Sequence, residues 1–318
     1  MTLLEGVLER GPAPLAGNPP GHLFEAIEEG QGSSSKKILL SSVAKRAQDL
    51  NLEGLSYSEA KEKLLFEVVA ESEKALQKML KGWMSTGTRG VVANRLQQIE
   101  RLRRDLEQGG QDWMKTWVPD AMKAGRTAGI DILKAAGIAE PLIPVIDRDG
   151  LANILLYDYA ELKDWSEKAA GIVRKSLLQA EIEGIGTRGA AERMLAQGIG
   201  ETGIWRGTYQ GAKRIARTEL IRARNIASDL VYAENGINKL QWWATLDDRT
   251  DGGRPDGDSH RRHKKILTRE EWKTHDFGDG YYGLPPLRPH DRCVMLPVVP
   301  GLEDDTDTTE DPNADTSA

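Results

Sequence analysis

Apolar residues three and four apart run through most of this 318-residue chain, and the pattern stops at Gly236. Leu64, Leu65, Val68, Val69, Ala75, Leu76, Met79, Leu80 and Trp83 make one such series. Residues at that spacing share one side of a helix with 3.6 residues per turn, so the series predicts an amphipathic helix. After Gly236, KLQWWATL alternates and carries aromatic weight, which predicts a strand. Thr268 and Glu271 have capping-box spacing, placing a short helix near Glu270–His275. Gly278, Gly280, Gly283, Pro285, Pro286 and Pro289 force turns, and CVMLPVV is read as a closing strand. The expected fold class is mainly α: a helical body with a small, turn-rich α+β lobe at the C-terminal end.

Breakers and caps divide the helical part. Ser56 and Glu59 suggest a capping box that starts the first helix. A second helix is expected over 91–107 and stopped by Gly109-Gly110, and a third over 113–136 bent near Pro119. IAEPLIP reads as a linker, followed by a helical region from Asp149 to about Glu183. Thr187 is read as the N-cap of a short helix closed by Gly198, and a long helix follows over Thr208–Glu234, closed by Asn235-Gly236. Residues 1–36 hold GPAPLAGNPPG and EEGQGSSSKK around an amphipathic piece, HLFEAIEE, suited to docking on a partner. The expected organisation is a flexible segment over 1–36, a helical region over 37–140, a second region over 141–300 whose lobe begins at 237, and a disordered acidic tail over 301–318.

Charge and cysteine content narrow the function classes. The net charge of −6 is concentrated in the tail, which carries seven acids and no base. The remainder is near neutral, which argues against a dedicated basic nucleic-acid-binding domain. A single cysteine excludes an intrachain disulfide and points to a reducing compartment. Mean hydropathy is −0.50, and neither a long apolar run nor a secretion-signal pattern is read, so no membrane association is expected.

Chemistry-bearing residues crowd into 214–299. Arg214, Arg217, Thr218, Glu219, Arg222 and Asn225 are spaced one, three or four apart, so several share a helix face. Glu219 paired with one or more of the arginines is expected to hold the following lobe. Downstream, Asp247, Asp248, Asp251, Asp256, Asp258, His260 and His263 mix carboxylate with imidazole, and His260 and His263 are spaced for one helical turn. Asp248, His260, His263 and Cys293 form a candidate zinc set, although no cofactor is required by the pattern. Arg261, Arg262, Lys264 and Lys265 form a basic patch suited to phosphate, as do Arg101, Arg103 and Arg104. Two alternatives stay open on these residues: a metal-dependent nuclease or other phosphodiester hydrolase using the Asp/His cluster, and a non-specific DNA-binding protein. The absence of a Gly-rich phosphate loop or a nucleophile elbow favours a non-enzyme.

The order of motifs resembles a known family. RIARTE with Asn225, Trp242 or Trp243, Asp248-Arg249-Thr250, His260, Pro285-Pro286, and Pro289 with Asp291-Arg292-Cys293 follow one another as in the phage head morphogenesis proteins. These are the Mu F-like minor head proteins of tailed bacteriophages, and the resemblance is most specific over 169–299. It departs where Arg288 stands for a family His and Asp251 for a family Cys. Cys-rich members look like zinc proteins here; with Cys293 alone, ion pairs and hydrogen bonds among Asp248, Arg249, His260, Arg292 and Glu219 are expected to replace the metal.

The resemblance implies a minor capsid protein of the virion, inside the head at the portal vertex, present in the host cytoplasm during procapsid assembly. The implied partners are the portal protein, scaffold or major capsid protein, and packaged double-stranded DNA contacted without sequence preference. The implied roles are head assembly, DNA packaging or DNA ejection. The region 37–139 is the expected partner-facing surface, with any exposed tryptophan among Trp83, Trp113 and Trp117 as an anchor.

Overall fold

The computed structural model describes residues 33–85, 92–144, 148–244, 261–278, 283–286, 291 and 293–299. Helix α1 spans Ser33–Ser85, α2 Val92–Ala135, α3 Arg148–Ile182, α4 Gly186–Gln197 and α5 Arg206–Glu234. Strand β1 (Lys239–Trp243), strand β2 (Ile266–Thr268), helix α6 (Arg269–Thr274) and strand β3 (Val294–Pro297) complete the lobe. The fold is mainly α, with a small three-stranded antiparallel sheet at its C-terminal end. No helix among the described residues is long and apolar enough to cross a membrane.

The helices differ from the sequence reading where a local stop signal meets tertiary packing. Ser56 caps nothing: α1 is already helical from Ser33, and Ser56 is an exposed mid-helix position. The preceding turns are held from outside, because Val43 is buried against the lobe and Arg46 pairs with Asp131 on α2 at 2.9 Å. Gly109-Gly110 does not end a helix either; α2 passes through both and through Pro119. A Cβ on Gly109 would meet Val68 at 2.5 Å, and one on Gly110 would meet Leu162 at 2.7 Å. The two glycines mark where α1 and α3 press onto adjacent sides of α2, and this packing offsets the roughly 1 kcal/mol that each glycine costs a helix. Thr187 lies inside the first turn of α4 rather than at its cap, which is Ile185.

One core of buried residues joins α1 to α5, from Leu65, Leu76 and Trp83 through Met114 and Val173 to Leu220, so it is continuous across residue 140. Trp83 and Trp113 belong to it and are not surface anchors. Their indole N–H groups are satisfied inside, by Gln98 Oε1 at 2.6 Å and the Lys61 carbonyl at 3.0 Å. Trp117 is half-buried beneath the Lys61 ammonium, 3.4 Å from the ring centroid. These tryptophans sit on the inward stripes of α1 and α2, where their area contributes more to burial than to display.

The closest approach in the body is between α2 and α5. A Cβ on Gly125 would lie 2.2 Å from the Arg224 carbonyl oxygen and 2.6 Å from its Cα. One turn on, a Cβ on Gly129 would lie 3.1 Å from Val231 Cβ. Ser228 Oγ donates to the Gly125 carbonyl at 2.8 Å across the same seam. Because the obstacle at Gly125 is backbone, it cannot rotate away. Gly125→Ala is expected to destabilise the fold by about 3 kcal/mol, whereas Gly82→Ala, with nothing within 4 Å of its Cβ, is expected to be neutral or stabilising. Urea titrations of the two variants followed by circular dichroism check this; equal midpoints would refute the close crossing.

Candidate functional site

Helix α5 ends where the sequence placed it. Gly236 takes φ 72°, and the Ile237 N–H returns to the Tyr232 carbonyl at 2.9 Å, closing the last turn. The chain then enters β1, which lies at the centre of the sheet order β2-β1-β3. Leu240 and Trp242 point inward and alternate with Lys239, Gln241 and Trp243. Trp242 and Trp272 lie 5.4 Å apart, Trp272 stacks on Phe277 at 5.6 Å, and the Trp272 indole donates to the Leu240 carbonyl at 3.0 Å. The expected capping box is present: Thr268 accepts from the Glu271 N–H at 3.2 Å, and Glu271 accepts from the Thr268 N–H at 2.7 Å.

The motif residues of α5 face two directions. Arg217 turns toward α1, donating to Glu62 at 2.6 Å and to Glu59 at 3.4 Å. Thr218 and Glu219 are buried, and Glu219 forms a short ion pair with Arg222 one turn later. Asn225 faces the lobe. Its buried amide donates to the Pro285 carbonyl at 2.9 Å and to the Cys293 carbonyl at 3.1 Å. Pro285-Pro286 is a cis peptide, and Asp291 accepts from the Cys293 N–H at 2.9 Å. One side chain of the helix therefore holds two segments 60 and 68 residues downstream. A cavity of about 40 Å³ lies beside it, lined in part by Arg224, Asn225, Ser228 and Tyr232.

A second tie went unread in the sequence. Asp229, one turn beyond Asn225, accepts both ends of the Arg269 guanidinium from the start of α6, and Arg269 also donates to the Asp229 carbonyl at 3.0 Å. Its four-residue spacing from Asn225 on α5 was the available signal. Burial pushes the Asp229 carboxyl up to about 6, outweighing the opposing effect of Arg269. A third tie fastens the linker: Asn235 accepts from the Leu142 N–H at 2.7 Å and donates to the Leu142 carbonyl at 2.9 Å.

The basic patch of the lobe is split. Arg261, Lys264 and Lys265 are exposed, but Arg262 is 1% exposed, with its guanidinium 4.4 Å from the Phe277 ring centroid and 5.7 Å from that of Trp242. It is a core cation and not a DNA-facing one. The cause is the turn that folds this segment back on β1: Lys264 N–H donates to the Trp242 carbonyl at 2.8 Å, and Trp242 N–H to the Lys265 carbonyl at 3.0 Å. On α2, Arg101 and Arg104 are exposed, while Arg103 is half-buried between Glu100 and Glu107.

Of the candidate metal set, Cys293 is buried in the lobe core and His263 lies in a turn, its Nδ1 accepting from the Ala244 N–H at 3.1 Å. Asp248, His260, Arg249, Thr250 and Arg292 lie outside the described residues, as do Asp247, Asp251, Asp256 and Asp258. Among the described residues no three His, Cys, Asp or Glu side chains come together as a metal site.

No family model matches this chain, and no curated protein or solved structure matches it.

Two outcomes follow from the ties. Asn225→Leu leaves two buried carbonyls without their donor and is expected to cost roughly 2–4 kcal/mol. The loss should appear in near-ultraviolet dichroism of Trp242 and Trp272 before the helical signal falls; a single transition unchanged from the wild type would refute the clamp. Asp229 has a folded-state pKa raised above its unfolded value, so its contribution to stability is complete below about pH 4 and is lost as pH rises through about 6. Asp229→Asn does not titrate. Its stability relative to the wild type is therefore expected to rise between pH 4 and 6, measured by urea unfolding at each pH.

Proposed function

We propose that the protein is a minor head protein of a tailed bacteriophage, acting at the portal vertex during procapsid assembly, DNA packaging or ejection. The observation that supports this reading is the Asn225 clamp. The motifs that carry the resemblance are dispersed in sequence, and three of them converge on one side chain: the RIARTE helix, the Pro285-Pro286 turn and the Asp291–Cys293 segment. Convergence of an ordered set of motifs is what a shared structural unit requires.

The clamp makes the lobe an appendage of α5 rather than a free module. In this reading it is a structural element, with no reacting group required at its centre. Partner contact then falls to exposed positions. Leu142 and Ile143 are 41% and 62% exposed, and the Asn235 amide holds their segment in place. Rigid apolar side chains suit recognition, because little conformational freedom is lost when they are covered.

Co-expression with the portal protein from the same genome, followed by affinity purification and size exclusion at moderate salt, tests the proposal. A defined complex is expected, weakened at least tenfold by Ile143→Asp without loss of helical signal. Elution of this chain free of the portal would overturn the reading.

A further inference from the structure

A groove of about 570 Å³ opens between α3 and the first turns of α5. Its floor is Trp165, Ala169 and Ile172; Gly207 and Gly211 make its opposite wall; Lys168, Lys213 and Arg214 rim it. A Cβ at Gly207 would meet nothing within 4 Å, and neither would one at Gly171 beside the floor. Gly211 is covered by Trp165, whose Cδ1 would lie 2.6 Å from a Cβ there, so it is at Gly207 that the wall leaves room for another backbone to approach closely. The volume falls in the range of sites that hold a ligand-sized segment.

Beyond the groove, α3 carries an exposed stripe. Lys168, Gly171, Lys175, Leu178 and Ile182 are spaced three and four apart, so they form one stripe. Leu178 is 43% exposed and Ile182 81% exposed, and Ile185 follows just beyond at 43%. The stripe carries two lysines and no acid. Neither Lys168 nor Lys175 has an ion-pair partner among the described residues, whereas Lys213 and Arg214 are balanced by Glu62 and Glu161. The surface is therefore apolar and cationic at once, and its complement is a short amphipathic segment with carboxylates.

The chain contains such a segment. In His22–Glu29, outside the described residues, the sequence pattern would put Leu23, Phe24 and Ile27 on one side of a helix with Glu28 at its border and Glu25 and Glu29 opposite. The same molecule's copy cannot reach. Lys213 sits 3.7 Å from Glu62, so the groove is level with Glu62 on α1. From Ser33 to Glu62, α1 runs about 43 Å at 1.5 Å per residue. Leu23 lies at most about 36 Å from Ser33 even on a fully extended chain, and Ile27 falls still shorter.

We infer that the amphipathic segment His22–Glu29 of one copy docks in the α3–α5 groove of a second copy. The exchange links copies of the chain head to groove, and it does not depend on the portal reading. Apolar area supplies the affinity, while Glu28 against the lysine-bearing stripe sets orientation.

Sedimentation velocity of the full-length chain at increasing concentration tests this. The wild type is expected to self-associate. Phe24→Asp in the segment and Gly207→Leu, which fills the groove without meeting a neighbour of its own chain at Cβ, are each expected to weaken association at least tenfold, with helical dichroism unchanged. Mixing the two variants is expected to restore association, because one retains its groove and the other its segment. A wild type that stays monomeric up to ~100 µM, a concentration at which even weak contacts populate, would overturn the inference. So would loss of association from Gly207→Leu alone, with Phe24→Asp unaffected, which would mean that something other than this segment fills the groove. Two impaired variants that fail to complement would overturn it as well.

Discussion

Everything in this structure is arranged around the close crossing of α2 and α5. Gly125 and Gly129 strip one side of α2 to bare backbone, and α5 lies against it at Arg224 and Ser228. That contact orients α5 with Arg217 turned to α1 and with Asn225 and Asp229 turned to the lobe. A side chain at Gly125 would push α5 outward and move each of these partners together. The hydrogen bond from Ser228 to the Gly125 carbonyl fixes the register along the seam. Close packing of this kind has little slack, because interiors are as dense as organic crystals.

The lobe depends on that orientation. Its own core is small: three short strands, one turn and a half of helix, and an aromatic group of Trp242, Trp272 and Phe277. A sheet of three strands is marginal alone and needs a packed face. The helical body supplies it, with Val43, Ala128, Ile132, Leu133 and Val231 buried against the lobe residues. Polar ties then choose one docking geometry among the many that apolar contact would allow. Asn225 holds two carbonyls, Asp229 holds Arg269, and Arg262 is enclosed between aromatic rings. The cost of burying Asp229 shows in its raised pKa, so this tie specifies geometry more than it adds stability. A structural role for the lobe, as proposed for a head protein, fits an interface built in this way.

The legible parts of the fold were those governed by neighbouring residues. The capping box at Thr268 and the closure of α5 at Gly236 depend on contacts within a few residues, and β1 was legible from its own alternation although its ladder partners lie in β2 and β3. The readings that failed had a local signal overridden by a distant one. Ser56 resembles a helix start only if nothing holds the turns before it, and Arg46 and Val43 do. Gly109-Gly110 resembles a stop unless two neighbouring helices press onto the glycines. Arg262 reads as surface within a run of bases, and its burial required Phe277 and Trp242 to be brought over it. At the candidate site, Asn225 was singled out from the motif order, but its two acceptors lie 60 and 68 residues away, and Asp229 carried no motif at all.

By itself the sequence determined that a helical body precedes Gly236, that a small turn-rich lobe follows, and that its unusual chemistry is concentrated from Arg214 onward. Periodicity, caps and breakers act over one or two turns and need no knowledge of the rest of the molecule. Only the tertiary structure decided which glycines are contacts rather than stops, which tryptophans and arginines are core, and which side chains join body to lobe. Those outcomes depend on which surfaces meet, and meeting is set by the summed packing of α1 to α5, a quantity that no local window of the chain contains.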